Sequence, residues 1–94
     1  MEKKICVYLL LQYNKKTGKV FKEMDAYGNA LMRMWALNNT PKSRNTVIIN
    51  CETGDCEWLF EGKENDMPTV KQNVGICDDF GIDRKMLESI ANSR

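Results

Sequence analysis

The run Thr46 to Gly62, TVIINCETGDCEWLFEG, constrains the fold more than any other stretch, because its apolar residues alternate on both sides of a Thr-Gly-Asp turn. Period-two alternation is the pattern of a strand with one buried face. Counting inward from the turn, Cys51 is expected to face Cys56, Ile49 to face Trp58 and Val47 to face Phe60, all on one side. The opposite side then carries Ile48, Asn50, Glu52, Asp55, Glu57, Leu59 and Glu61 and is mostly acidic. A lone hairpin is marginally stable in water, so apolar material elsewhere must cover the Trp58 face.

The 94 residues suffice for one domain, 1–94, with 43% of residues apolar; a second core would not fit. Ile5 to Tyr13 is apolar on both faces, which suits a strand in the middle of a sheet or against a dimer mate. Asn14 to Gly18 reads as a turn and Lys19 to Glu23 as a short return strand, which makes 4–24 a first hairpin. The period then becomes helical over 25–38. Asp25 is the expected N-cap, and Tyr27, Ala30, Leu31 and Met34 form the expected inward row, flanked by Met24, Trp35 and Leu37. Gly28, Met32 and Ala36 make a second, uncharged row on the expected outer side, against which another element of the chain or a partner packs.

Asn38 to Pro41 ends the helix, and Lys42 to Arg44 forms a basic loop before the central hairpin, 46–61. Pro68 suits a helix's first turn. Val70, Val74 and Cys77 recur at helical spacing, and Asp83 is placed to cap a last helix bearing Met86, Leu87 and Ile90, which makes 68–92 a helical corner. The predicted order is β-β-α-β-β-α-α: an α+β two-layer sandwich, its antiparallel sheet carrying helices mainly on one face.

The net charge of +1 conceals an asymmetry. Residues 1–50 hold nine Lys/Arg against three Asp/Glu, and residues 51–94 hold five against ten. Such a split favours docking to a charged partner or head-to-tail self-association, or the two parts compensate each other across the folded surface. No run approaches the ~18 apolar residues of a membrane span, and Ile5 to Leu11 lacks a following cleavage site, so a cytoplasmic location without membrane contact is expected. Cys6, Cys51, Cys56 and Cys77 lack the paired short spacing of zinc ribbons and read as buried thiols, although Cys51 and Cys56 would suit a cross-strand disulfide in an oxidising setting.

Catalysis finds no positive signal. Without histidine the Ser-His and Cys-His pairs are impossible, and no phosphate loop, dinucleotide fingerprint or metal-carboxylate motif is present. Neither a cofactor nor a metal is expected. The reading reached is a small non-enzymatic interaction protein, an adaptor, regulator or stoichiometric inhibitor, that binds another protein through Glu52, Glu57 and Glu61 and the row Gly28, Met32, Ala36. The alternative is a nucleic-acid-binding regulator. It would use Lys15, Lys16, Lys19, Lys22, Lys42 and Arg44, with Tyr13 and Phe21 to stack on a single strand, or the helix-turn-helix-like corner with Arg84 and Lys85. Four basic against five acidic residues from Asn65 onward argue against DNA reading by that corner. The doubly apolar first strand also admits a homodimer.

Overall fold

The computed structural model describes residues 7–64 and 66–76. Within them the order is β1 (Val7–Asn14), β2 (Val20–Tyr27), α1 (Ala30–Asn39), β3 (Arg44–Asn50), β4 (Asp55–Glu61) and β5 (Thr69–Ile76). All neighbouring strands are antiparallel, in the sheet order β2-β1-β3-β4-β5. The α+β architecture is as expected, but the described residues hold one helix. The expected element order is corrected in two places. Residues 69–76, read as a helix, form an edge strand, and Asp25 to Tyr27, read as the helix start, complete β2. The expected second helix of the corner lies outside the described residues.

Both hairpin turns use one device. Asn14 Oδ1 accepts the backbone N–H groups of Lys16 and Thr17 at 2.8 and 2.9 Å, and Gly18 N–H donates to Asn14 O at 2.9 Å. Asn50 repeats this with Glu52, Thr53 and Gly54 at 2.9, 3.3 and 2.8 Å. In each turn a threonine hydroxyl accepts the N–H two residues on, Lys19 to Thr17 and Asp55 to Thr53, and Gly18 and Gly54 take φ of +76° and +79°. The asparagine organises the loop locally and the glycine supplies the left-handed residue that lets the strands re-pair. The sequences Asn-Lys-Lys-Thr-Gly-Lys and Asn-Cys-Glu-Thr-Gly-Asp are therefore one turn written with opposite charges.

The β3–β4 register differs from simple counting. Val47 pairs with Leu59, Ile48 with Trp58 and Ile49 with Cys56, with a bulge that leaves Glu57 as the extra residue. Both faces of the sheet are apolar as a result. One buries Val7, Leu9, Leu11, Val47, Ile49, Cys51, Cys56 and Leu59; the other buries Leu10, Ile48 and Phe60 beneath Met32 and Ala36 of α1. Cys51 and Cys56 are buried thiols, not opposed partners, because Cys51 belongs to the turn and Cys56 lies against Ile49. The first strand sits inside the sheet, between β2 and β3, as its doubly apolar pattern requires.

A directed hydrogen-bond chain joins the helix end to this sheet. The Thr40 hydroxyl donates to Ala36 O at 2.6 Å, so at its 2.8 Å contact with Thr46 it is Thr46 that donates. Gln12 Nε2 donates to Thr46 Oγ1 at 3.0 Å and to Asn39 O at 2.8 Å, and Arg44 donates to Gln12 Oε1 at 3.1 Å. Gln12, Thr40 and Thr46 are all buried. Side chains thus satisfy helix-terminal carbonyls that have no partner within the helix.

Candidate functional site

The strand directions sort charge to the two ends of the sheet. β1 ends and β3 begins together, since Asn14 pairs with Arg44 and Lys15 N–H donates to Ser43 O at 3.0 Å. This end gathers Lys15, Lys16, Lys19, Lys22, Lys42 and Arg44, as the alternative reading requires, with Glu61 and Glu64 as the acidic residues among them. The opposite end joins Val7, Tyr27 and the second turn, where Cys51 N–H donates to Val7 O at 3.0 Å. It carries Glu52, Asp55 and Glu57. An eight-residue strand separates the ends by about 25 Å.

At the basic end the Arg44 guanidinium lies 3.7 Å from the centroid of Phe21, and Lys19 Nζ lies 5.8 Å from it. Phe21 is 45% exposed on the edge strand β2, where the β1–β2 register shifts between Gln12 and Tyr13. Lys15 Nζ is drawn down onto Gly62 O at 2.6 Å, and Lys42 is paired with Glu64 at 3.1 Å. Tyr13, the other candidate stacking residue, is half-buried against the sheet face opposite α1. Burial raises its phenol pKa above the ordinary value, partly offset by a hydrogen bond with Asn45. It is less exposed than Phe21, one face of whose ring is covered by Arg44.

The three acidic residues assigned to a docking face do not share one. Glu57 is the bulged residue, and its carboxylate accepts from the Tyr8 hydroxyl at 3.1 Å and from Asn50 Nδ2 at 2.9 Å. Glu61 stands at the far end of β4, 3.1 Å from Lys71 Nζ. Glu52 is exposed in the turn. The uncharged row is also corrected: Met32 and Ala36 are 2% and 0% exposed and face the sheet. Gly28 precedes the helix at φ +78°, in the left-handed reversal from β2 into α1, which explains a glycine there without any close neighbour. Arg84 and Lys85 lie outside the described residues, as do Cys6 and Cys77.

The outer face of α1 carries the residues expected to point inward. Leu31 is 79% exposed, Met34 62% and Leu37 36%, with Ala30 and Asn38 exposed beside them. Both helical rows are apolar, so hydrophobic spacing could not tell inside from outside. A different signal was present: of the ten residues of α1 only Arg33 is charged, and it turns aside, its guanidinium 4.7 Å from the centroid of Trp58. An outward helix face normally carries charge. Leu37 also lines, with Pro41, Met67 and Pro68 and the polar Asn38, Asn39, Thr40 and Asp66, an open groove of about 290 Å³ of mixed character that leads toward β5.

Among the described residues no group of three or more His, Cys, Asp or Glu side chains is placed to hold a metal ion, and no helix is long and apolar enough to cross a membrane. Comparison with protein-family models, with characterised proteins and with solved structures finds no match to this chain.

Proposed function

We propose that this chain is a non-enzymatic protein-interaction domain that docks through the outer face of α1. The observation that carries the reading is the exposed, uncharged row Leu31, Met34, Leu37. Contiguous apolar surface of this kind marks interaction sites, and methionine is well suited to them because its flexible thioether adapts to a partner's contour. Recovery of the tagged protein from its host, side by side with a Met34→Glu variant, tests the reading. A stoichiometric companion, either a host protein or an untagged copy of this chain made in the same host, that is present with the parent chain and lost with the variant supports it. A companion retained equally by both refutes it.

A second reading is favoured by the basic end. Lys19 and Arg44 flank the exposed Phe21, at an end that also bears Lys15, Lys16 and Lys42, and this suits an anionic polymer, with Phe21 as the stacking surface for a single strand of nucleic acid. Such binding weakens steeply with salt, and replacing Lys15, Lys16 and Lys19 by Glu should abolish it while leaving the Met34-dependent companion in place. Binding insensitive to both salt and these substitutions would refute this second reading.

A further inference from the structure

We infer that the partner for the α1 face is a second copy of this chain, bound about a twofold axis through Met34 with the two helices antiparallel; the inference rests on the docking reading above. The row is self-complementary. Leu31 and Leu37 stand three residues either side of Met34, one displaced to each flank, so the twofold operation sets Met34 against Met34 and brings Leu31 of one copy level with Leu37 of the other, on opposite flanks of the contact. No like charges meet across this contact, because the only charged residue of α1 is engaged with Trp58.

Charge at the ends of the sheet supports the same arrangement. β2 runs from the basic end to the acidic end, and α1 returns, so its first turn lies beside the end bearing Glu52, Asp55 and Glu57 and its last beside Lys42 and Arg44. Antiparallel helices therefore set the basic end of each copy on the same side as the acidic end of the other, twice by symmetry, with the two helix layers between them. A parallel arrangement would superpose like ends. Opposed potentials of this kind steer and orient association.

The alternative route to self-association, pairing of the exposed edge β2 with its own copy, is blocked by its sequence. An antiparallel twofold pairing within one continuous sheet opposes residues whose numbers have a fixed even sum. Each centred register then sets Lys22 against Lys22, Glu23 against Glu23, Glu23 against Asp25, or Asp25 against Asp25. Like charges directly opposed destabilise a strand pair, as on edges protected from aggregation. The other described edge, β5, is broken by Asn73 at φ +51° and a register shift.

The test is sedimentation equilibrium of the full chain from submicromolar to submillimolar concentration, with circular dichroism to verify folding. The parent chain should dimerise, Met34→Glu should be monomeric with an unchanged spectrum, and Met34→Cys, made in a Cys6→Ser, Cys77→Ser background, should be joined to its copy by a short bis-maleimide that leaves the background chain unjoined. A parent chain that stays monomeric throughout overturns the inference, as does a dimer that survives Met34→Glu. If the parent chain is monomeric yet its companion from the host still depends on Met34, self-association fails while the docking reading stands. Loss of both removes the two together.

Discussion

Met32 and Met34 stand two positions apart on α1 and on opposite sides of it: Met32 is buried at 2% exposure against Leu10, Ile48 and Phe60, and Met34 is 62% exposed. The same residue type thus serves as core on one side of the helix and as surface on the other. Truncation separates the roles. Met32→Ala should cost about 2–5 kcal/mol, because it removes buried contacts and leaves a cavity. Met34→Ala should stay within about 0.5 kcal/mol for the isolated chain. Urea unfolding of both variants checks this, and equal losses would contradict the orientation of the helix.

The Gln12–Thr46–Thr40 chain makes a second expectation. Thr46→Val keeps the shape of the side chain but removes an acceptor for Gln12 and a donor for Thr40, in a site with no exposed surface. The cost should be about 1–3 kcal/mol, the range for buried groups left without a partner. Hydrogen exchange should also quicken in the last turn of α1 before elsewhere, since that turn's Ala36 and Asn39 carbonyls are held by this chain.

Two glycines predict different penalties for one added methyl. At Gly62 a Cβ would overlap Pro41 O and lie 2.7 Å from Arg44 O, both backbone atoms, so Gly62→Ala must move the loop and should cost about 3 kcal/mol. At Gly28 the space is open and only the left-handed φ opposes a side chain, so Gly28→Ala should cost about 1–2 kcal/mol. Thermal melts that rank the two in the opposite order would contradict the described path of the 41–44 loop against Gly62.

Tyr13 predicts an alkaline loss of stability. Its folded pKa is raised, first by burial, so the unfolded chain releases the phenol proton before the folded one does. From this group stability is constant below the unfolded value of about 10, falls as pH rises from there to the folded pKa, and levels beyond it. Tyr13→Phe should flatten that part of the profile, measured by urea unfolding in alkaline buffers. An unchanged slope would contradict a buried phenol.

Residues whose neighbours have a single consistent use were legible in the sequence. The first strand, the first turn and the presence of a hairpin over 46–61 follow from alternation and from Asn, Thr and Gly at turn positions, whereas the second turn starts at Asn50 and takes in Cys51, which was expected to pair with Cys56. The helix was placed but turned over, because Leu31–Met34 and Met32–Ala36 are equally apolar and only the lack of charge on one side distinguishes them. β5 was read as a helix because Val70 and Val74 satisfy a spacing of four, which is also two strand repeats. The bulge at Glu57 carries no signal in the chain itself; it places Trp58 opposite Ile48 on the helix-covered face and re-aims the acidic residues that had seemed to form one surface. The basic end was foreseen conditionally, on the first turn and the post-helix loop lying together, and the Asn14–Arg44 pairing meets that condition.

The central claim is that the outer row of α1 is the working surface, filled by a second copy. Methionine oxidation mapped by mass spectrometry on the native chain, dilute and then concentrated, reads it most directly. Met34 should react quickly when dilute and become protected as concentration rises, with Met32 slow throughout. A Met34 that reacts equally fast at every concentration, or a Met32 that reacts as fast as Met34, would contradict the account.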